Sequence, residues 1–152
     1  LDATVLRYFT VYGPAGRPDM SVFAFIRAIA EGDPITVLGD GTQERDFTYV
    51  DDVAQGTIAA LKPLGYEVVN LGNSRPVILN DMIEMVEKCL GKTAKRRYSP
   101  AHPADARTTQ ADIGCAWALL GWRPQYDLPR LIDEAWDYER ADDDPRKIWY
   151  PG

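Results

Sequence analysis

The chain is poor in the side chains that most often carry metal and nucleophilic chemistry. Among 152 residues there are two cysteines, Cys89 and Cys115, and one histidine, His102. The cysteines form no CxxC and have no metal-ligand spacing, so each reads as a reduced thiol buried on the apolar side of a helix. A single histidine leaves a histidine-based zinc site or a Ser-His-Asp triad little to work with, and no metal ligands are assigned. No apolar run approaches the ~18 residues of a membrane span, and no leader peptide is visible. The expectation is a cytoplasmic protein with no membrane partner. Basic residues are in the minority, 17 Lys and Arg against 23 Asp and Glu, for a net charge of -6. That balance argues against general nucleic-acid binding. It does not exclude a small anionic ligand, because a local pair of arginines outweighs a diffuse acidic surface. No Gly-x-x-Gly-x-x-Gly occurs, and none of the eight tyrosines is followed four residues later by lysine. The chain thus offers no convincing acid–base pair, and no catalytic residue is assigned.

What is present is an ordinary globular composition, 45% hydrophobic and 26% charged, enough for one core. Val5–Val11 is rich in β-branched and aromatic residues and stops at Gly13-Pro14, which predicts a strand ending in a loop. Ser21 is placed as the N-cap of a helix with Val22, Phe25, Ile26 and Ile29 inward and Gly32 as its stop. Short strands follow at Ile35–Leu38 and Asp46–Val50. Asp51 and Asp52 open a helix at its positive end, with Val53, Ile58 and Leu61 as its apolar positions and Pro63 as its stop. Glu67–Leu71 reads as a strand. Asn80 or Asp81 caps a helix with Met82, Ile83, Val86, Cys89 and Leu90 inward. Asp112 caps another with Ile113, Ala116, Trp117 and Leu120 inward. Asp127 starts a last one bearing Leu128, Leu131, Ile132, Ala135 and Trp136. The tail from Asp142 to Asp144 is acidic and ends in Trp149-Tyr150. Interleaved strands and helices indicate an α/β class, with few strands and open sheet edges.

A small set of polar residues stands out. Arg45 follows a Gly-containing turn and precedes a strand, a position suited to bidentate capture of a phosphate. The alternative is a surface arginine paired with a neighbour such as Asp46. Arg17, in the loop after the first strand, is either a clamp for a carboxylate or phosphate or a solvated loop residue. Thr10 lies toward the C-terminal end of that strand, where α/β sheets bind ligands, or is simply a β-favouring residue. Asp105 sits in a Pro-containing loop whose ordinary meaning is turn chemistry. Lys95-Arg96-Arg97 reads as a solvated edge.

Together these segments resemble the C-terminal portion of the extended short-chain dehydrogenase/reductase family, the NAD-dependent nucleotide-sugar epimerases and dehydratases. The resemblance rests on Arg7-Tyr8-Phe9-Thr10-Val11-Tyr12-Gly13-Pro14, on Gly32-Asp33-Pro34-Ile35-Thr36-Val37, and on Arg45-Asp46-Phe47-Thr48-Tyr49-Val50-Asp51-Asp52-Val53. Asn70-Leu71-Gly72-Asn73, Pro103-Ala104-Asp105 and Leu120-Gly121-Trp122-Arg123-Pro124 follow in order. Thr10, together with Arg17-Pro18-Asp19-Met20, is most similar to UDP-glucuronate 4-epimerases within the family.

The resemblance implies the last strands of a Rossmann-type sheet plus the small substrate-binding α/β subdomain. Residues 1–152 would then be a single truncated unit, with the NAD-binding half and the catalytic Tyr and Lys upstream. A first residue that is Leu1 fits an internal start or an excised piece. The implied roles are Thr10 and Arg17 toward a uronate carboxylate, Arg45 on the UDP diphosphate, Thr36 and Leu38 at the uracil, Asp105 by the ribose, and Tyr8 and Val11 toward NAD. The expected ligand is a UDP-sugar, with NAD not held tightly by this chain alone. The expected macromolecular partner is a second copy or the missing half. Two departures, Ala104 for glycine and His102 for arginine, weaken the diphosphate clamp. Alternative readings are a non-catalytic ligand-binding or oligomerisation module on this scaffold, or part of a UDP-sugar dehydratase or decarboxylase.

Overall fold

The computed structural model describes residues 1–14, 16–17, 19–101 and 103–141. Ala15, Pro18, His102, the Leu131 side chain and the tail after Ala141 lie outside the described residues. In chain order the elements are β1 (Ala3–Tyr8), β2 (Thr10–Tyr12), α1 (Ser21–Glu31), β3 (Pro34–Leu38), β4 (Glu44–Arg45), β5 (Phe47–Tyr49) and α2 (Val50–Ala59). They continue with β6 (Tyr66–Leu71), β7 (Val77–Ile78), α3 (Leu79–Leu90), β8 (Lys95–Ser99), α4 (Gly114–Leu120) and α5 (Leu128–Arg140). This is the α/β class expected from the sequence. The residues fall into two compact units, the first made of 1–12, 44–77 and 108–127, the second of 13–43, 78–107 and 128–152.

In the first unit β1 pairs with β6 and β2 with β5, both in parallel. Parallel neighbours need a crossover between them, which the intervening helices supply. The single strand expected over Val5–Val11 is in fact two. Its partner changes at Phe9: the Phe9 N–H reaches the Leu71 carbonyl at 3.3 Å, and the next N–H, of Thr10, reaches the Asp46 carbonyl at 3.2 Å. Val69 and Leu71 of β6 bury against Ala116 and Trp122, with Leu6, Leu119 and Leu120 around them. The Trp122 Nε1–H donates to the Asp52 carbonyl at 2.9 Å. The helix expected to run through Ile58 and Leu61 to Pro63 ends at Ala59, and both residues face solvent, since α2 buries Asp52, Val53 and Gly56. Trp117, expected inward, is half exposed, since α4 turns Ala116 to the core instead.

Asp51 and Asp52 lie in the first turn of α2 as expected, and Asp52 is in addition buried. Its carboxylate accepts the Gln125 N–H at 3.0 Å and the Tyr126 N–H at 3.1 Å. Burial pushes its carboxyl above the ordinary value of 3.8, and the Tyr126 and Gln125 N–H groups partly pull it back. The folded chain therefore holds this proton more tightly than the unfolded chain does. The associated stability is full below the unfolded value and is lost as pH rises through the folded one. An asparagine at this position, with its amide oxygen where Oδ2 now lies, keeps both N–H contacts but turns its NH2 toward the Gln125 N–H, which also lies 3.0 Å from Oδ1. That donor-against-donor cost is the same at every pH, whereas only the parent loses stability as its buried carboxyl ionises. The stability of Asp52→Asn relative to the parent is thus expected to rise from below the ordinary carboxylate value to neutral pH. Urea midpoints across that range check it, and a difference independent of pH would contradict it.

In the second unit β3 and β8 pair in parallel. Three helices, α1, α3 and α5, pack on one another through Val22, Ile26, Ile29, Met82, Ile83, Val86 and Ile132. The apolar spacing of α1 and α3 is what the sequence showed. Gly32 ends α1 in the left-handed conformation (φ 80°) that glycine adopts without a Cβ penalty. Lys95-Arg96-Arg97, expected as a solvated edge, lies within β8. Arg96 bridges to Glu87 at 2.8 Å and Lys95 reaches the Gly32 carbonyl at 2.7 Å, so these side chains tie the strand to its surroundings. Cys89 and Cys115 are free thiols, half-buried rather than buried. Burial, with Asp133 beside it, raises the Cys89 thiol to about 11, which leaves it chemically quiet at neutral pH. No described helix is long and apolar enough to cross a membrane.

Candidate functional site

The expected site residues divide between the two units. Tyr8, Thr10, Val11 and Arg45 lie in the first. Tyr8 ends β1 with its ring half exposed, and its hydroxyl lies 3.0 Å from Thr57 Oγ1. Thr57 itself donates to the Val53 carbonyl at 2.7 Å, so the Tyr8 hydroxyl is the donor in the pair. Thr10 and Val11 sit opposite Phe47 and Thr48 in the β2–β5 ladder. Arg45 is half-buried at the end of β4, and its Nη1 donates to the Glu44 carbonyl at 2.7 Å. The Thr10 N–H bonds to the carbonyl of Asp46, the residue after Arg45. Thr10 thus bonds to the link between β4 and β5, one residue beyond Arg45, and its register partner is Phe47.

Asp46 departs furthest from its sequence expectation. Expected as a surface partner for Arg45, it is fully buried. Its Oδ1 accepts the Asn73 N–H at 2.7 Å, and its Oδ2 accepts the N–H groups of Ser74 at 2.9 Å and Ala111 at 2.8 Å. A carboxylate so engaged pins the loop after β6 and the segment before α4 to the β4–β5 link, which follows Arg45 and bonds to Thr10. It also holds Ser74 in a left-handed conformation (φ 59°) unusual for a residue with a Cβ. The alternation of Phe47 and Tyr49 with polar residues, which marks Asp46–Val50 as a strand, does not announce this, because Asp46 and Thr48 are buried along with Phe47 and Tyr49.

Arg17, Thr36, Leu38 and Asp105 lie in the second unit. Arg17 is exposed and paired with Asp19, its Nε donating at 3.0 Å, and that guanidinium holds the Asp19 carboxyl below its ordinary value. Thr36 and Leu38 are two residues apart on β3 and therefore share one exposed face. Arg97 is the register partner of Thr36 and Ser99 that of Leu38, so Arg97 belongs beside this face, a placement that its reading as a solvated run conceals. The next turn is closed by Asp40, whose Oδ1 accepts the Thr42 N–H at 2.9 Å and hydroxyl at 2.6 Å. Those bonds lower the Asp40 carboxyl. Asp105 lies in an exposed loop.

Each cluster presents hydrogen-bond donors, and none of the assigned residues is a Brønsted base suited to deprotonate an alcohol. The arrangement can bind and orient an anion. Residues 1–72 match the NAD dependent epimerase/dehydratase family. The chain resembles the nucleotide-sugar epimerases of that family over most of its length. A UDP-glucuronate 4-epimerase of Thermodesulfobacterium geofontis is 58% identical over 129 residues, 84% of this chain and 40% of the relative. UDP-glucuronate 4-epimerase 5 of Arabidopsis thaliana is 39% identical over 146 residues, 84% of this chain and 34% of the relative. Among solved structures, the UDP-glucuronic acid 4-epimerase of Bacillus cereus, in complex with UDP-glucuronic acid and NAD, superimposes with a TM-score of 0.85. It is 41% identical, and the match covers 97% of this chain and 46% of that one. The fold is thus that of the Rossmann-type extended epimerases, as the sequence motifs imply. The chain spans less than half the length of these relatives.

Proposed function

We propose that residues 1–152 form the UDP-sugar-binding portion of an NAD-dependent UDP-glucuronate 4-epimerase, catalytically incomplete in themselves. The observation that carries this reading is the bond from the Thr10 N–H to the carbonyl of Asp46, the buried residue next to Arg45, in a chain 58% identical to such an epimerase over 129 residues. Arg45 supplies a half-buried guanidinium for the diphosphate, and desolvation strengthens such a charge-assisted contact. Thr36 and Leu38 offer a mixed polar and apolar face for a uracil ring, and Asp105 an acceptor for ribose hydroxyls. Arg17 meets the uronate carboxylate by exchanging its bond to Asp19 for one to the ligand.

For NAD the chain supplies little. Tyr8 presents an open ring face and Val11 an aliphatic one, but no glycine-rich strand-to-helix turn exists to receive a pyrophosphate. These residues do not make a dinucleotide site by themselves. Calorimetric titration with UDP tests the reading. The chain is expected to bind UDP, and Arg45→Ala to weaken binding at least tenfold, about 1.4 kcal/mol. Equal binding by parent and variant would overturn the assignment of Arg45.

A second reading, an association module, draws on one feature. Val5 and Val68, register partners on the β1–β6 sheet, are 43% and 42% exposed, and Tyr66 lies on the same face. Absence of any UDP binding together with a stable dimer in sedimentation would favour it. Epimerisation, dehydration and decarboxylation of a UDP-sugar all begin with the same bound ligand, and the epimerase reading is preferred on the relatives matched.

A further inference from the structure

The first unit contains a cavity of about 350 Å³ that none of the roles above uses. Its lining includes Asn73, Ser74, Arg75, Trp117 and Arg123. We propose that it binds the phosphoryl group of a small phosphate monoester, at a site distinct from the residues assigned to the UDP-sugar.

The charges are the first ground. The chain is acidic, and Arg17, Arg27, Arg96, Arg130 and Arg140 each have a carboxylate partner. Arg75 and Arg123 have none among the described residues, yet they line one cavity together. No acid is among its lining residues. The nearest in sequence, Asp112, turns its Oδ1 to the Gly114 N–H at 2.9 Å. Two guanidinium groups lining one cavity without counter-ions leave positive charge there uncompensated, and a dianion in the cavity neutralises it.

The second ground is preorganisation. The Arg123 guanidinium carbon lies 3.8 Å from the centroid of the Trp117 ring. A cation stacked this way has lost much of its rotamer freedom before any ligand arrives, so less entropy is lost on binding. It also accounts for Trp117, whose large ring is half exposed on a helix that buries Ala116 instead. The third ground is the floor of the cavity. Asn73 and Ser74 are fixed by the Asp46 carboxylate, while the Asn73 side-chain amide has no partner among the described residues and can donate to a phosphoryl oxygen. The volume falls within the range of small-molecule sites and exceeds what a bare phosphate fills, leaving room for an organic body beside Trp117.

The test is an NMR titration of the chain followed at the Arg Nε–H and Trp Nε1–H signals, with ribose 5-phosphate, inorganic phosphate and ribose added separately. Ribose 5-phosphate is expected to shift Arg75, Arg123 and Trp117 saturably, and ribose to shift none of them. Tighter binding of the ester than of inorganic phosphate identifies the organic body as part of the ligand, and equal binding identifies the phosphoryl group alone. Arg75→Ala and Arg123→Ala should each weaken binding at least tenfold, whereas Arg45→Ala should leave it unchanged, which separates this site from the UDP-sugar reading. Both arginines are exposed, so neither variant should lose the fold, and the dispersion of the amide spectrum verifies that. Absence of saturable shifts with either phosphate, or shifts insensitive to both variants, would overturn the proposal.

Discussion

Replacing Asp46 by alanine is expected to lower the stability of the chain by about 4 kcal/mol, with asparagine costing about 2 kcal/mol. The carboxylate is fully buried and accepts three backbone N–H groups from two separate segments. Alanine leaves all three donors without a partner, the Ala111 N–H in a buried place and those of Asn73 and Ser74 in partly buried ones, and each unsatisfied buried donor costs on the order of 1–3 kcal/mol. Asparagine is the more instructive change. Its single oxygen can take the Oδ2 position and keep the Ser74 and Ala111 bonds, but its NH2 then faces the Asn73 N–H, donor against donor. The graded order, parent over asparagine over alanine, follows from counting acceptors. Urea unfolding measures it, and a loss below about 1 kcal/mol for alanine would mean that the two segments are held by something else. Because the same bonds fix the residue that follows Arg45 and bonds to Thr10, ligand affinity should fall in the same order.

Gly72→Ala is expected to cost about 3 kcal/mol for a different reason. A Cβ at residue 72 would lie 2.2 Å from the Ala111 Cβ, 3.2 Å from the Phe9 ring and 3.3 Å from Asp46 Oδ2. A Cβ cannot rotate away from its own backbone, so the clash with Ala111 must move main chain, and that main chain carries the Ala111 N–H bonded to Asp46. A sharper consequence follows from the atom that is struck. Ala111→Gly removes it, so the double variant Gly72→Ala, Ala111→Gly should recover most of the loss, leaving an interaction energy of about 2 kcal/mol in a double-mutant cycle. Strictly additive losses would show that the close approach is not what requires glycine.

The parts of this structure legible in the sequence are those where one residue type answers one local demand. Val22, Phe25, Ile26 and Ile29 repeat at the helical period and are buried, and Gly32 stops the helix. The capping residues are less legible. The sequence points to Ser21, and to Asn80 or Asp81, as caps, but the N-caps are Met20 and Ile78, with no side-chain bond. An N-cap needs extended dihedrals, and Ile78 has them already as the last residue of β7. Asn80 uses its side chain elsewhere, donating to the Asp40 carbonyl at 3.0 Å. The split between β1 and β2 is hidden because Val5 to Val11 is uniformly β-favouring, and composition does not say which neighbour an N–H will reach. The site shows the same division. Thr10 and Arg45 are legible from motif and turn chemistry. Asp46, which holds their strands in place, is not, because its three partners come from residues 73, 74 and 111, far along the chain.

Whether these residues bind a UDP-linked uronic acid is tested most directly by a calorimetric comparison of UDP-glucuronate and UDP-glucose with the parent chain and Arg17→Ala. The two ligands differ only at C6, carboxylate against hydroxymethyl, so their difference isolates the contact assigned to Arg17. The parent is expected to bind UDP-glucuronate about tenfold more tightly, and Arg17→Ala to erase the preference while keeping affinity for UDP-glucose. Equal affinity of the parent for the two ligands, or a preference that survives Arg17→Ala, would contradict it.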